Sequence, residues 1–390
     1  MRVTRIPAHE IDESLTRHWH ALQAHPDHPE WLHPFLSPEF AKLTGEVLPR
    51  SRVAVIEDAG TIVGVWTYEA FPGGLARPLA RHMSDLQGLL IAPGPEHLLP
   101  WIARQCGLRL LRFDHLLPSE ALIRAAMTSE PSSSSDSLAM TVSLRSGWMI
   151  DLSEGFEAYR MAQSRQTRWW RRAPGKARRL AEALGPLSWQ DEVQDDAAWL
   201  MLARWKSAQY RQSGLRDNFA IGWVRQWLER LRWSDTPALK GSLQSLRADG
   251  NLVAVHFGVR GHKVLHHYLP AYARQIGIHS PGSVLLEQTI RHAVNQGLNL
   301  IDMSTGDLDY KSAVCNRRRA LAIGVLGPGW LIHAVRQARA IEHRLRHWPG
   351  LLPVARQGKR ALVRVINGPA QSVSARRARP IARDAQRASP

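Results

Sequence analysis

The residues best suited to bind an anion lie where a helix is predicted to begin, at Ser280-Pro281-Gly282-Ser283. Serine is a good helix N-cap and proline is tolerated at the first helical position, so the start is well marked. Gly282 has no side chain to cover the free backbone amides of the first turn, which lie at the positive end of the helix dipole. With Arg274 and Gly277 in the preceding loop, the pattern predicts a phosphate-type anion site.

A second group of residues could transfer protons. Asp302 interrupts the apolar run at residues 298–303, where a carboxylate is costly unless it is paired or used in chemistry. Each candidate also has a structural interpretation, because Asp302 can pair with an arginine of residues 317–319 and a histidine or tyrosine can simply pack in a core. The further acid or base candidates near Asp302 in the predicted fold are His256, Asp307, Tyr310 and Lys311.

An antiparallel meander and one crossover must position both groups. The breaks Asp249-Gly250-Asn251 and Gly261-His262 contain glycine and indicate tight hairpins. The crossover helix then runs to Gly297, and residues 298–303 form a short buried strand. A strand, a helix and a second strand give a parallel pair with a right-handed connection. The three strands of the meander are predicted at residues 239–248, 252–260 and 263–271.

This loop and helix start resemble the GNAT superfamily of acyl-CoA-dependent N- or O-acyltransferases. In that family a loop of the form Gln/Arg-x-x-Gly-x-Gly/Ala grips the CoA pyrophosphate, and Arg274-x-x-Gly277-x-His279 matches it except at His279. The chain is also similar to the double-domain GNAT branch called CelD-like, which is associated with cellulose and other exopolysaccharide biosynthesis and related to the FemAB aminoacyl transferases. The stretches that carry this similarity are Pro270-x-Tyr272, Ser280-Pro281-Gly282, Asp302, Gly306-Asp307-x-x-Tyr310-Lys311 and Ser84-Asp85-x-Gln87-Gly88.

The resemblance implies an α/β fold of tandem GNAT-like domains, each a mixed β-sheet flanked by helices. We predict a degenerate GNAT-like domain at residues 1–145 and a GNAT acyltransferase domain at residues 146–328. A basic helix and a partly disordered basic tail are predicted at residues 329–390. A structural or substrate-wall role is favoured for the first domain over a catalytic one.

The implied reaction is acyl transfer, with acetyl-CoA as the expected donor and a hydroxyl or amine of a saccharide or polysaccharide precursor as the acceptor. Asp302 or His256 would act as the base and Tyr310 as the acid, in a direct ternary complex. Direct transfer is favoured because Cys315 has no His-Asp relay in the sequence that would make it a covalent nucleophile. The positions that match those marked in the family are Asp302, Asp307, Tyr310 and Lys311. The predicted CoA contacts are Arg274, Gly277, Ser280, Gly282 and Ser283.

Charge is spread unevenly along the chain. Residues 1–145 hold 13 Lys and Arg against 16 Asp and Glu, whereas residues 146–390 hold 38 against 18, so the net charge is −3 in the first part and +20 in the second. Seven basic residues and no acid lie between Arg165 and Arg179, on a long helix predicted to begin at Gly155. The asymmetry points to an anionic partner, which could be CoA, an acidic polymer, anionic lipid or nucleic acid. FemAB-type aminoacyl transfer and a non-enzymatic polyanion or membrane-surface adaptor are therefore the alternatives.

Composition and cysteine content limit the membrane, targeting and metal-binding properties that the sequence predicts. The 390-residue chain is 44% apolar, and no run approaches the roughly eighteen uninterrupted apolar residues of a membrane span. No apolar segment of a signal peptide follows the first residues, so a cytoplasmic location is expected, with peripheral contact to the inner membrane through the basic tail. Cys106 and Cys315 lack metal-type spacing, and the adjacent strand residues His266 and His267 must face opposite ways. No metal is predicted.

Overall fold

The computed structural model describes residues 1–91, 99–118, 138–306 and 308–345, with side chains described up to residue 337. The serine-rich sequence at residues 131–137, the candidate Asp307 and the predicted tail beyond residue 345 lie outside the described residues. Within them, no helix combines the length and the apolar character that crossing a membrane requires.

The N-terminal part of the chain alternates short helices and strands. Asp12 and Ser37 cap the first two helices, because their side chains accept the backbone N–H of Leu15 and Phe40. The helices are α1 (Glu13–Gln23), α2 (Pro38–Val47) and α3 (Leu99–Gln105). The strands are β1 (Arg2–Pro7), β2 (Ser51–Asp58), β3 (Thr61–Phe71), β4 (Leu75–Arg77), β5 (Leu89–Ile91), β6 (Leu110–Leu116) and β7 (Leu138–Asp151).

The C-terminal part contains the predicted meander and crossover. Its helices are α4 (Phe156–Gln166), α5 (Arg168–Leu184), α6 (Asp196–Gln212), α7 (Gly222–Arg232), α8 (Pro281–Asn295), α9 (Asp309–Val314) and α10 (Gly329–Leu345). Its strands are β8 (Leu187–Asp191), β9 (Lys240–Ala248), β10 (Asn251–Arg260), β11 (Val264–Tyr272), β12 (Leu300–Asp302) and β13 (Arg317–Pro328). The β9–β10 turn has positive φ at Asp249 and Gly250, 47° and 76°, as a two-residue hairpin turn requires. The single helix predicted from Gly155 is wrong, since Thr167 has an extended backbone and separates α4 from α5.

In the described residues, thirteen strands form one mixed sheet. The order is β1-β2-β3-β4-β6-β13-β7-β12-β11-β10-β9-β8, and β5 pairs with β3. The sheet holds two parallel pairs, β4–β6 and β11–β12, and each is connected through a helix, α3 in the first half and α8 in the second. The predicted fold class is therefore confirmed, and so is the parallel pairing of β11 with β12.

The strand β13 joins the two halves, because it lies between β6 and β7 and is antiparallel to both. A side chain at Gly324 of β13 has no room, since a Cβ atom there would lie 2.1 Å from the Thr141 carbonyl oxygen and 2.6 Å from the Phe113 ring. The boundary predicted at residue 145 falls inside β7, whose far end pairs with β12. Residues Met1–Arg339 form one compact unit.

Helices cover both faces of this sheet, as the alternation along the strands demands. In β2, for example, Val53 and Val55 belong to one core, whereas Ala54 and Ile56 belong to another on the opposite face. The first core also takes in α1, α2, α6 and α7. The helices α4, α5 and α8 pack in separate cores with β9–β12.

Candidate active site

The strands β11 and β12 diverge in the middle of the C-terminal half. Their pairing covers three positions and ends at His266 and Asp302, whereas β11 continues to Tyr272. In the same region two residues of β11, 267 and 268, lie opposite the single residue Gly258 of β10, which is a β-bulge. Ligands bind in α/β sheets at the carboxyl ends of parallel strands, so we call the region between residues 267–272 of β11 and the turn after Asp302 the cleft.

The amino end of α8 lies at one end of this cleft. The predicted side-chain cap by Ser280 is wrong, because this residue has a left-handed backbone with φ of 58° and its side chain bonds no amide of the first turn. The Ser283 amide donates to the Ser280 carbonyl at 3.0 Å. The amide of Ser283, one of the predicted CoA contacts, is thus used within the turn, and that of Gly282 remains for a ligand.

Lys176 of α5 adds a cation that the sequence did not assign to this site. Its Nζ donates to Ser283 Oγ at 3.2 Å. Burial and the charges of Arg179 and Arg172, which lie within one turn of Lys176 on α5, lower the pKa of Lys176. Arg274, at the start of the preceding turn, is exposed. A bound dianion would relieve the repulsion among these groups.

The Tyr272 ring lies against both glycines of the predicted anion loop. A Cβ atom at Gly282 would lie 3.2 Å from Tyr272 Cδ1, and one at Gly277 would lie 3.5 Å from Cε2. The ring is 43% exposed, so it forms part of the surface beside the amide. A larger residue at Gly282 would therefore have to displace the ring and would cover the amide.

Asp302 is fully buried and held by several donors. Its Oδ1 accepts the Ser304 backbone N–H at 2.7 Å, and its Oδ2 is paired with Arg319 and lies 3.2 Å from His33 Nε2. Burial alone would raise the pKa of this carboxyl, but the Arg319 charge and the His33 contact hold it well below its usual range. The alternative in which Asp302 pairs with an arginine of residues 317–319 is thus the arrangement that the structure shows.

His33, His266 and Asp302 bring three potential ligand atoms within 4.8 Å of one another. The protonation of His33 does not suit a metal ion, since its Nδ1 accepts the Phe35 backbone N–H at 3.1 Å. Its Nε2 must then carry the proton of the neutral ring and cannot offer a lone pair. Arg319 also occupies Asp302 Oδ2. These atoms therefore fit a hydrogen-bonded cluster better than a metal site, and the absence of a metal stays a prediction.

His256 of β10 is buried between the polar side chains of Gln244 and His267. Its Nδ1 is 3.2 Å from Gln244 Oε1, and its ring stacks on His267 with centroids 3.9 Å apart. Burial, followed by the neighbouring His267 and His266, holds the pKa of His256 well below 6.5. His256 is therefore a neutral, weakly basic group, which agrees with the core-histidine interpretation more than with a general base.

The remaining predicted residues lie in the turn and helix after β12. Lys311 is buried, and its Nζ donates to the carbonyl oxygens of Met303 and Thr305 at 2.6 Å each. Tyr310 is half-buried in a hydrophobic core, and burial raises the pKa of its hydroxyl to about 12. Lys311 thus fixes the turn that carries Thr305. Asp307 lies outside the described residues.

The N-terminal half contributes a carboxylate to the cleft. Asp85 Oδ2 lies 3.3 Å from His266 Nε2, and the Asp85 side chain keeps 23% of its surface exposed. Burial would raise the pKa of Asp85, and its hydrogen bond with His266 lowers it overall. The sequence stretch Ser84-Asp85-x-Gln87-Gly88 could have identified Asp85 as a partner of His266. The sequence suggests only a metal-ligand role for His266. The prediction that His266 and His267 face opposite sides of β11 is confirmed, since His266 lies against Asp85 and His267 against His256.

A buried lysine lies near the stacked pair of His256 and His267. Lys206 of α6 is 8% exposed, and its Nζ donates to Gln209 Oε1 at 3.1 Å. Burial lowers the pKa of Lys206 to about 8. Lys206 follows Trp199 and Leu202 at helical spacing on the buried face of α6, where an apolar residue would be usual.

The sequence profile of the acetyltransferase (GNAT) domain family matches residues 170–312. This range contains α8 and the pair β11–β12, and therefore both sides of the cleft. The chain carries a GNAT acyltransferase domain. The protein is thus an acyltransferase, whereas its placement in the CelD-like branch remains a prediction. A search of curated protein sequences gave no match.

Solved structures are similar to this chain over most of its length. FemX is 9% identical with a TM-score of 0.52, and the match covers 84% of this chain and 97% of FemX. The C-terminal domain of a putative lysylphosphatidylglycerol synthetase from Agrobacterium fabrum is 11% identical with a TM-score of 0.49, over 77% of this chain and 91% of that one. A tandem GNAT protein from the clavulanic acid biosynthesis pathway is 15% identical with a TM-score of 0.44, over 84% and 98%.

Proposed function

We propose that the protein transfers an acyl group from acyl-CoA, with acetyl-CoA as the expected donor, to a hydroxyl or amine of a saccharide or polysaccharide precursor. The observation that carries the donor is the contact of Lys176 with Ser283 in the first turn of α8, beside the open amide of Gly282. Cations and a helix start of this kind bind phosphate groups, and the CoA pyrophosphate supplies two.

The length of the cleft supports CoA over a free phosphate. From Tyr272, beside the anion site, to His266, where β12 diverges, β11 runs for roughly 20 Å at about 3.3 Å per residue. An extended pantetheine arm along this stretch would carry the thioester from the helix start to the diverging strands. There the carboxylate of Asp85 and the turn after β12 come together.

The saccharide acceptor and the cellular location rest on sequence alone. The acceptor follows from the resemblance to the CelD-like branch, and we place the enzyme in the cytoplasm with its basic tail against the inner membrane. FemAB-type aminoacyl transfer is the second candidate, because α5 presents exposed arginines to which a charged tRNA could bind, among them Arg168, Arg171 and Arg172. The GNAT domain argues against the third alternative, a non-enzymatic adaptor.

Acetyl-CoA and CoA are expected to raise the melting temperature of the wild-type protein, and Gly282→Asp is expected to abolish the rise. At a ligand concentration of 100 times Kd, binding adds about 2.7 kcal/mol to stability. The aspartate adds like charge at the phosphate site and pushes against Tyr272. Differential scanning fluorimetry against a concentration series of each ligand measures both effects.

Gly222→Asp is the matched control, since Gly222 also starts a helix but a Cβ atom there meets nothing within 4 Å. This variant should keep the full response to CoA. A wild-type protein that is stabilised by aminoacyl-tRNA but by no CoA ester would reject the CoA proposal in favour of the second candidate.

A further inference from the structure

A threonine, a histidine and an aspartate form a hydrogen-bonded chain between the two halves of the molecule. His115 Nε2 lies 3.0 Å from Thr305 Oγ1, and His115 Nδ1 lies 3.2 Å from Asp114 Oδ1. Asp114 Oδ1 also accepts from Gln87 Nε2 at 2.7 Å, which holds the carboxylate in place. With Nδ1 donating to the carboxylate, Nε2 is free to accept the threonine proton. This is the arrangement of nucleophile, base and orienting acid found in acyl-transfer triads.

The backbone presents Thr305 on a strained turn from β12 to α9. Ser304, directly before it, has a left-handed conformation with φ of 56°, and Gly306, directly after it, has φ of 104°. Asp302 accepts the Ser304 amide, and Lys311 binds the Thr305 carbonyl, so bonds on both sides fix the turn. Strain that the surroundings maintain in this way is typical of functional sites, and nucleophiles of acyl-transfer enzymes occupy comparable strand-to-helix turns.

The chain of residues is placed where an acyl donor would end. Thr305 follows Asp302, the last residue of β12, by three positions, so it lies at the point where the two parallel strands diverge. His115 and Asp114 are partly open, with 18% and 28% of their side-chain surfaces exposed. The groups are therefore held firmly but are not sealed in a core, unlike Asp302 and His256.

We propose that Thr305 is a covalent nucleophile, that His115 is its general base, and that acyl transfer proceeds in two steps; this inference rests on the proposed use of acyl-CoA. In the first step His115 Nε2 takes the proton of Thr305 Oγ1, the oxygen attacks the thioester carbonyl, and the C–S bond breaks. The CoA thiolate leaves with the proton from His115. In the second step an acceptor O–H or N–H gives its proton to His115 and attacks the ester carbonyl, and Thr305 Oγ1 leaves and regains that proton.

This proposal departs from the direct ternary complex that the sequence predicts. That prediction rested on Cys315, which had no relay, and the structure keeps Cys315 unsuitable because burial raises the pKa of its thiol to about 12. The structure shows a His-Asp relay beside Thr305 instead. The sequence does not reveal it, because the base His115 belongs to β6, far from Thr305 in the chain.

Exchange of labelled CoA into acetyl-CoA without any acceptor tests the covalent step, because only an acyl-enzyme returns its acyl group to free CoA. The wild-type protein should catalyse the exchange and should gain the mass of one acetyl group with acetyl-CoA. Thr305→Val should lower the exchange at least about a thousandfold, and His115→Gln about 10²- to 10⁴-fold. Thr305→Ser keeps the nucleophile and should exchange within about tenfold of wild type. Ser312→Ala removes an exposed hydroxyl from the adjacent α9 and should exchange like wild type.

Asp114 acts through His115, so its variant is assessed by the pH dependence of the exchange. Burial lowers the pKa of His115, but the bond to Asp114 and the charge of Asp85 outweigh it and the opposing charge of Arg145, so the net shift is upward from 6.5. Exchange should fall as the pH drops through this raised pKa, since a protonated His115 cannot act as a base. Asp114→Asn should move that fall to lower pH.

The outcomes separate the two proposals. Acetyl-CoA that stabilises the protein, together with acceptor-dependent turnover but neither exchange nor an acetylated protein, overturns the covalent mechanism and leaves the proposed function intact. Wild-type exchange in Thr305→Val also overturns it. Absence of any response to CoA esters overturns both.

Discussion

Arg319→Ala is expected to lower the free energy of unfolding by about 3–5 kcal/mol, the cost of leaving a buried charge without its partner. Asp302 is fully buried and Arg319 is 10% exposed, so water cannot replace the guanidinium in the folded state. The carboxylate would keep only His33 and the Ser304 amide as donors. Urea denaturation at pH 7 measures the loss.

Arg317→Ala is the control on the same strand. Arg317 pairs with Asp151 at the surface and is 54% exposed, so its loss should cost no more than about 1 kcal/mol. Equal losses in the two variants would contradict the assignment of Asp302 as a buried, ion-paired anchor.

Acid should narrow the difference between Arg319→Ala and wild type. The pKa of Asp302 is depressed in the folded protein, so its pairing stabilises the fold above the unfolded pKa of about 3.9 and is lost as the pH falls through the folded value. The gap in unfolding free energy should therefore shrink as the pH falls through the pKa that Asp302 has in the folded variant, which lies above that of wild type because the Arg319 charge is absent.

Gly324→Ala is expected to destabilise the protein by about 3 kcal/mol, at the upper end of what overpacking costs. The added Cβ atom would lie 2.1 Å from the backbone oxygen of Thr141 and 2.6 Å from the Phe113 ring, on two different strands. A backbone oxygen in a paired strand cannot move aside alone, so β13 would have to separate from β7. Thermal and urea denaturation test the expectation.

Gly327→Ala on the same strand serves as the comparison. Its Cβ atom would lie 2.8 Å from Leu110 Cδ1, which is the end of a flexible side chain. We expect a loss below about 1 kcal/mol, because that methyl group can rotate away. If Gly324→Ala were tolerated as well as Gly327→Ala, β13 would not be inserted as tightly as described.

Local patterns sufficed for much of the fold. Glycine-containing breaks gave the hairpins, and alternating apolar residues gave the meander, because both depend on neighbours in the chain. The Ser280 cap failed since its backbone is set by the turn that precedes it, and nothing local revealed that β13 would insert between β6 and β7. The sheet therefore had to be seen before the two halves could be joined correctly.

The sequence predicted the candidate site best where one continuous segment contains all the residues concerned. The anion loop and the start of α8 are continuous in sequence, and the structure brings Gly277 and Gly282 together against Tyr272. Asp302 was singled out correctly as unusual, but its partners were only partly foreseen. His33, Asp85 and His115 come from the N-terminal half, and no local pattern links them to residues near 300.

Insertion of β13 between β6 and β7 has a consequence for synthesis. The N-terminal half is translated first, but β6 and β7 lack the strand between them until residue 328 has left the ribosome. In the meantime both strands have open edges, which are sites for pairing with other chains. Since loops of about half the chain must close before this pairing forms, the final strand sets a late step in folding. The first half of the gene therefore encodes a segment that only the second half can complete.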